Sequence, residues 1–158
     1  IIGPDGVAGR IRAAKPGVQV VTPITAAVAA LTRFGARRVG VLTPYTADVN
    51  AGIRRYLEAA GFAVPAFGSF DEPGDRVVSA IDADSLGTAV GQLVAAAPLD
   101  AVFVSCTSIR LLDAIAALEA ETGLPVTSSN QARIWQTLRL CGVGDALPGL
   151  GRLLTQPL

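Results

Sequence analysis

A chain of 158 residues, 51% of them hydrophobic and 16% charged, is long enough for one globular domain and can bury a sizeable core. Its 13 basic and 13 acidic residues cancel, which excludes the basic face expected of a nucleic-acid binder. No apolar run approaches the roughly 18 residues that cross a bilayer, and two cysteines are too few for a secreted disulfide scaffold.

The elements alternate along the chain. Val18 to Val21 is a short apolar run. Thr22-Pro23 reads as an N-cap followed by proline at the first helical position. Ile24, Ala27, Val28, Leu31 and Phe34 then repeat at helical spacing, and Gly35 stops the helix. Arg38 to Leu42 reads as a strand and Thr43-Pro44-Tyr45 as a turn. Thr46 is placed to cap a helix whose apolar face is Val49, Ile53, Tyr56, Leu57 and Ala60.

Phe62 to Phe67 reads as a strand, and Pro65 puts it at a sheet edge, because proline offers no N–H to a second neighbour. Residues 68 to 84 read as a long loop with a helical turn near Arg76 to Ile81. A helix follows from Ser85 to Ala97, then a buried strand from Ala101 to Ser105. Thr107 or Ser108 is placed to cap the next helix, with Leu111, Leu112, Ile115 and Leu118 inward and Gly123 as its stop. Pro125 to Ser128 reads as the last strand. Asn130 is placed to cap a final helix through Ile134, Trp135, Leu138 and Cys141, ended by Gly142.

Strand–helix alternation implies a parallel sheet with right-handed crossovers. Four strands fit an α/β, flavodoxin-like order 2-1-3-4, with the proline strand at an edge. The switch point then falls between the strands ending near Leu42 and Ser105, and ligands bind beyond the carboxyl ends of strands at such a point. Topology alone therefore nominates Tyr45 and Cys106.

The residues available restrict the chemistry. There is no histidine and only one lysine, Lys15, so a histidine-ligated metal and a Schiff-base cofactor are not expected. What remains is thiol, hydroxyl, carboxylate, arginine and backbone amide. At a helix start, Cys106 would have its thiolate favoured by unpaired amides. Free cysteine is also a common small core residue, so position alone leaves both readings open. Tyr45 in a turn reads first as a packed ring and second as a phenol donor at the site mouth, and Asn50 shares that ambiguity. Cys141, in register with Ile134 and Leu138, is expected in the core.

Val39-Gly40-Val41-Leu42-Thr43-Pro44-Tyr45, Asp48-Val49-Asn50, Val104-Ser105-Cys106-Thr107-Ser108-Ile109-Arg110 and Ser128-Ser129-Asn130-Gln131-Ala132 occur in that order. Together they resemble the maleate cis-trans isomerase and arylmalonate decarboxylase branch of the aspartate/glutamate racemases. The likeness is strongest to the ectoine-utilisation EutA group. The resemblance implies one lobe of a pseudo-symmetric two-lobe fold. Residues 1–21 would be a remnant of the first lobe, ending in a helix and a strand. Residues 22–129 would form the second lobe, and residues 130–158 a helix and tail packing back toward the first.

The resemblance also implies a cofactor-independent isomerase or racemase acting on a small carboxylic acid, with Cys106 as its thiol and no metal. Tyr45, Asn50, Thr107 and Ser108 would bind the substrate carboxylate. A decarboxylase using Cys106 alone is one alternative, and a non-catalytic small-molecule-binding lobe another. The family's opposing block lies upstream of the segment matching Ile1 to Gly6, so the chain is expected to hold half a site and to be inactive alone. A homo-oligomer in the cytoplasm, with no nucleic-acid or membrane partner, completes the expectation.

Overall fold

The computed structural model describes residues 3–158. Four strands, β1 (Arg38–Thr43), β2 (Ala63–Ser69), β3 (Ala101–Val104) and β4 (Val126–Ser128), form one parallel sheet in the order β2-β1-β3-β4. This is the expected order. β2 lies at the edge, and its register against β1 slips between the pairs Arg38–Ala63 and Gly40–Ala66. β2 therefore carries one extra residue where Pro65 sits exposed, and a bulge on an outer strand accommodates the missing N–H.

Helices cover both faces. α1 (Pro4–Ala14) precedes α2 (Pro23–Arg33), whose entry is closed by a reciprocal box. The Thr25 amide donates to the Thr22 hydroxyl, and the Thr22 amide donates back to Thr25 Oγ1. α2 and α3 (Ala47–Ala59) cover one sheet face through Leu31, Leu57, Val39, Val41 and Phe103. α5 (Ala83–Ala96) and α6 (Ile115–Thr122) cover the other through Leu86, Val90, Leu118, Val102 and Val104. The short α4 (Asp75–Val78) lies within the predicted loop, where it plants Val78 in this second core. α7 (Ser129–Leu140) packs on α2 and holds the tail through Trp135, Leu153 and Leu154.

Several expectations change at this level. Residues 18–22 form no strand. Thr46 occupies the N-cap of α3 without a side-chain cap bond, and Val49 points to solvent at 49% exposure. α5 starts at Ala83 because Asp82 accepts the Ser85 amide, two residues before the predicted start. The cap of α7 is Ser128, whose hydroxyl accepts the Gln131 amide, rather than Asn130. Cys141 is exposed at the end of α7 rather than buried. The aperiodic tail contains an ordered 3₁₀ turn, Arg152–Thr155.

The tail is tied down by polar contacts as well as packing. Trp135 Nε1 and Arg139 Nε both donate to the Gln156 carbonyl at 2.9 Å. The buried Glu119 carboxylate takes the Val126 amide on one oxygen and the Arg152 amide on the other. Burial pushes the Glu119 carboxyl up, and these two amides partly oppose that shift.

Candidate active site

The site lies where β1 and β3, adjacent in the sheet, send their following connections in opposite directions. β1 ends at the buried Thr43, and its hydroxyl becomes the hub of a turn. The Thr43 hydroxyl donates to Asn50 Oδ1 and accepts the Tyr45 amide at 3.2 Å. Asn50 Nδ2 donates to the Tyr45 carbonyl at 2.7 Å, and Ser69 at the end of β2 donates to the same oxygen. Tyr45 is thus held by its backbone from three elements. Its ring packs half-buried against the core that contains Cys106.

β3 ends at Val104, and the Ser105 amide still donates to Leu42. Cys106 follows, 4% exposed, inside the same core as Leu42, Val104 and Ile109. Helical structure does not resume until the 3₁₀ turn Leu112–Ala114, so no helix begins at Thr107 or Ser108. The thiol therefore lacks the helix N-terminus expected from the sequence. In its place, the chain folds back so that the Ser108 amide donates to Cys106 Sγ at 3.3 Å.

The Tyr45 hydroxyl is pushed above the usual phenol range, first by burial, then by the neighbouring Cys106 sulfur and last by the Asp75 charge. At neutral pH it is a protonated donor. The Tyr45 ring packs on the core that holds the buried thiol.

The other expected residues divide. Thr107 is exposed, and its carbonyl accepts from Asn130 Nδ2 at 3.0 Å, which ties the thiol loop to α7. Ser108 presents its amide to sulfur, while its hydroxyl donates to Asp75 Oδ1 at 3.3 Å. Both polar ends of the Asn50 side chain are engaged in the Tyr45 turn, so it positions rather than reaches. Sequence reasoning passed over Thr43, Ser69 and Asp75. Thr43 stood inside the quoted Thr-Pro-Tyr block, whereas Ser69 and Asp75 lay in a stretch with no periodic signal. A groove of about 420 Å³ runs beside the thiol loop, lined by Thr107, Ile109, Arg110, Asn130, Arg133 and Ile134 among others, and Cys106 is not in its lining.

Among the described residues no group of three or more acidic, histidine or cysteine side chains could hold a metal ion, and no helix is long and apolar enough to cross a membrane. A family model described as arylmalonate decarboxylase matches residues 7–154. The chain belongs to the arylmalonate decarboxylase family.

Within that family, it is 33% identical over 142 residues to arylmalonate decarboxylase of Bordetella bronchiseptica, covering 89% of this chain and 59% of that protein. It is 31% identical over 132 residues to a maleate isomerase of Nocardia farcinica, covering 83% of this chain and 52% of that one. A solved structure of the Nocardia farcinica maleate cis-trans isomerase, a mutant with a covalently bound succinylcysteine intermediate, superposes with a TM-score of 0.87 at 27% identity. It covers 98% of this chain and 63% of that one. The chain thus spans a little over half the length of its curated relatives. The maleate isomerase and arylmalonate decarboxylase branch inferred from the sequence blocks is borne out.

Proposed function

We propose that this chain is the thiol-bearing lobe of a cofactor-independent enzyme that isomerises or racemises a small carboxylic acid, with Cys106 as the reacting group. The observation that carries this reading is the Ser108 amide donating to the Cys106 sulfur at 3.3 Å, with the Tyr45 ring packed on the same core at the carboxyl ends of β1 and β3. The succinylcysteine in the Nocardia relative supports a cysteine that forms a covalent bond to a four-carbon acid.

In the proposed reaction the Tyr45 hydroxyl and the Thr107 side chain bind the substrate carboxylate, while the Ser108 amide positions the Cys106 sulfur. The thiolate adds to, or takes a proton from, the carbon beside that carboxylate. Negative charge then grows on the carboxylate oxygens, where donors offset it. An opposing lobe supplies the group that returns or removes a proton on the other face.

A second reading follows from the arylmalonate decarboxylase match: Cys106 alone protonates the carbanion left after loss of carbon dioxide. The two readings differ in the residue facing Cys106.

The test joins the chain to an N-terminal lobe and follows isomerisation and decarboxylation by NMR in heavy water. Iodoacetamide should abolish turnover, and so should Cys106→Ala. Full activity in the alanine variant overturns the assignment.

A further inference from the structure

The block Ser128-Ser129-Asn130-Gln131 has no part in the proposed reaction, yet its side chains divide three tasks at one strand end. Ser128 caps α7 by accepting the Gln131 amide, and Gln131 Nε2 donates to the Leu150 carbonyl in the tail. The helix is therefore closed without Asn130, whose Nδ2 donates instead to the Thr107 carbonyl at 3.0 Å. That carbonyl belongs to the same peptide group as the Ser108 amide. The group is trans, and a trans peptide is a rigid plane whose C=O and N–H point in opposite directions. Gripping the oxygen therefore fixes where the hydrogen points, and the Ser108 N–H points at Cys106 Sγ, 3.3 Å away. Residues 105–111 lie in neither helix nor strand, so no ladder holds this plane. The Ser108 hydroxyl on Asp75 and the buried Ile109 anchor side chains of the loop, whereas Asn130 acts on the peptide itself.

We propose that Asn130 is a positioning residue for the reacting thiol: by holding the Thr107 carbonyl it turns the Ser108 N–H onto the Cys106 sulfur. The proposal rests on the functional reading above. A donor at the carbonyl also polarises the peptide and strengthens its N–H, so the two hydrogen bonds reinforce each other. Without that donor the peptide plane is free to turn about its two flanking single bonds, and the sulfur exchanges a fixed neighbour for a mobile one. The role is independent of the substrate, so it serves the isomerase and the decarboxylase readings alike.

The experiment compares the chain with its Asn130→Ala and Asn130→Asp variants. Neither change harms α7, because alanine is the best helix former and a carboxylate suits the first turn. Asn130→Asp also keeps the shape of the side chain while offering Thr107 only acceptors. Exchange of the Ser108 amide with solvent, measured by NMR, should quicken about fivefold or more in both variants, the effect of losing one hydrogen bond. Alkylation of Cys106 by iodoacetamide, read by peptide mass spectrometry against the exposed Cys141, should rise with it, because a sulfur 4% exposed is reached by local opening. Stability to urea should not fall. A reactive Cys106 whose rate does not change, a Ser108 exchange that does not change, or changes that appear only with a matching loss of urea stability overturn the positioning role and leave the functional reading intact. A Cys106 inert to iodoacetamide in the chain and in both variants overturns the functional reading and the role with it.

Discussion

Asn50 Nδ2 donates to the carbonyl of Tyr45 at 2.7 Å, while its Oδ1 accepts the hydroxyl of Thr43. One amide thus couples the last residue of β1 to the residue that carries the phenol. It also draws the first turn of α3 against the strand it follows.

Removing that amide should loosen the phenol without touching the thiol. Asn50→Ala leaves the buried Thr43 hydroxyl and the Tyr45 carbonyl short of a partner, a loss of about 1–3 kcal/mol. Urea unfolding followed by Trp135 fluorescence measures it. Asn50→Asp, which keeps an acceptor for Thr43 but no donor for Tyr45, should recover only part of the loss. A neutral outcome for Asn50→Ala would show that Ser69 alone holds the turn.

The Tyr45 phenol sets an alkaline limit. Its folded-state ionisation is raised above the ordinary phenol value of about 10 by burial, by the Cys106 sulfur and by Asp75. The folded state resists losing that proton while the unfolded chain does not. The contribution is therefore fully present below about pH 10 and is lost as pH rises from there toward the folded value. Stability measured between pH 8 and 11.5 should fall above about 10, and Tyr45→Phe should flatten the fall. An identical slope in the variant would place the alkaline loss elsewhere.

Gly151 should tolerate no side chain. Its φ is +88°, and an added Cβ would lie 2.5 Å from Ile115 Cγ2 and 2.7 Å from Gln131 Nε2, both in buried residues. Gly151→Ala combines backbone strain with overpacking and should cost about 1–3 kcal/mol. It should also displace the 3₁₀ turn that brings Leu153 and Leu154 under Trp135. A shift in Trp135 emission together with the loss in urea stability is the expected pair of signals.

The sheet was legible because its strands are short apolar runs bounded by turn residues, and because Pro65 marks an edge by its missing donor. The thiol loop was not. Leu111, Leu112, Ile115 and Leu118 carry a helical period that predicts a helix capped at Thr107 or Ser108. Yet Ile109 and Leu111 are both buried, and residues two apart point to opposite sides of a helix. A non-helical segment turns both inward, and within it the Ser108 amide donates to the sulfur. On α7 the period read through Ile134, Trp135, Leu138 and Cys141 includes Trp135 but misses Gln131 and Ala132, which share its buried stripe. A polar residue hid that stripe: Gln131 is buried because its Nε2 donates to the Leu150 carbonyl.

Local sequence determined the strand order, the capped entry of α2, the position of Cys106 at a strand end, and the family. Tertiary structure decided how the sulfur is contacted, which of the neighbouring polar groups are spent on the scaffold, and that Asp75 stands at the site. The reason is range. Caps, periods and proline act within a few residues, whereas Asp75 and Ser108 are 33 positions apart and meet only once the sheet has brought their loops together.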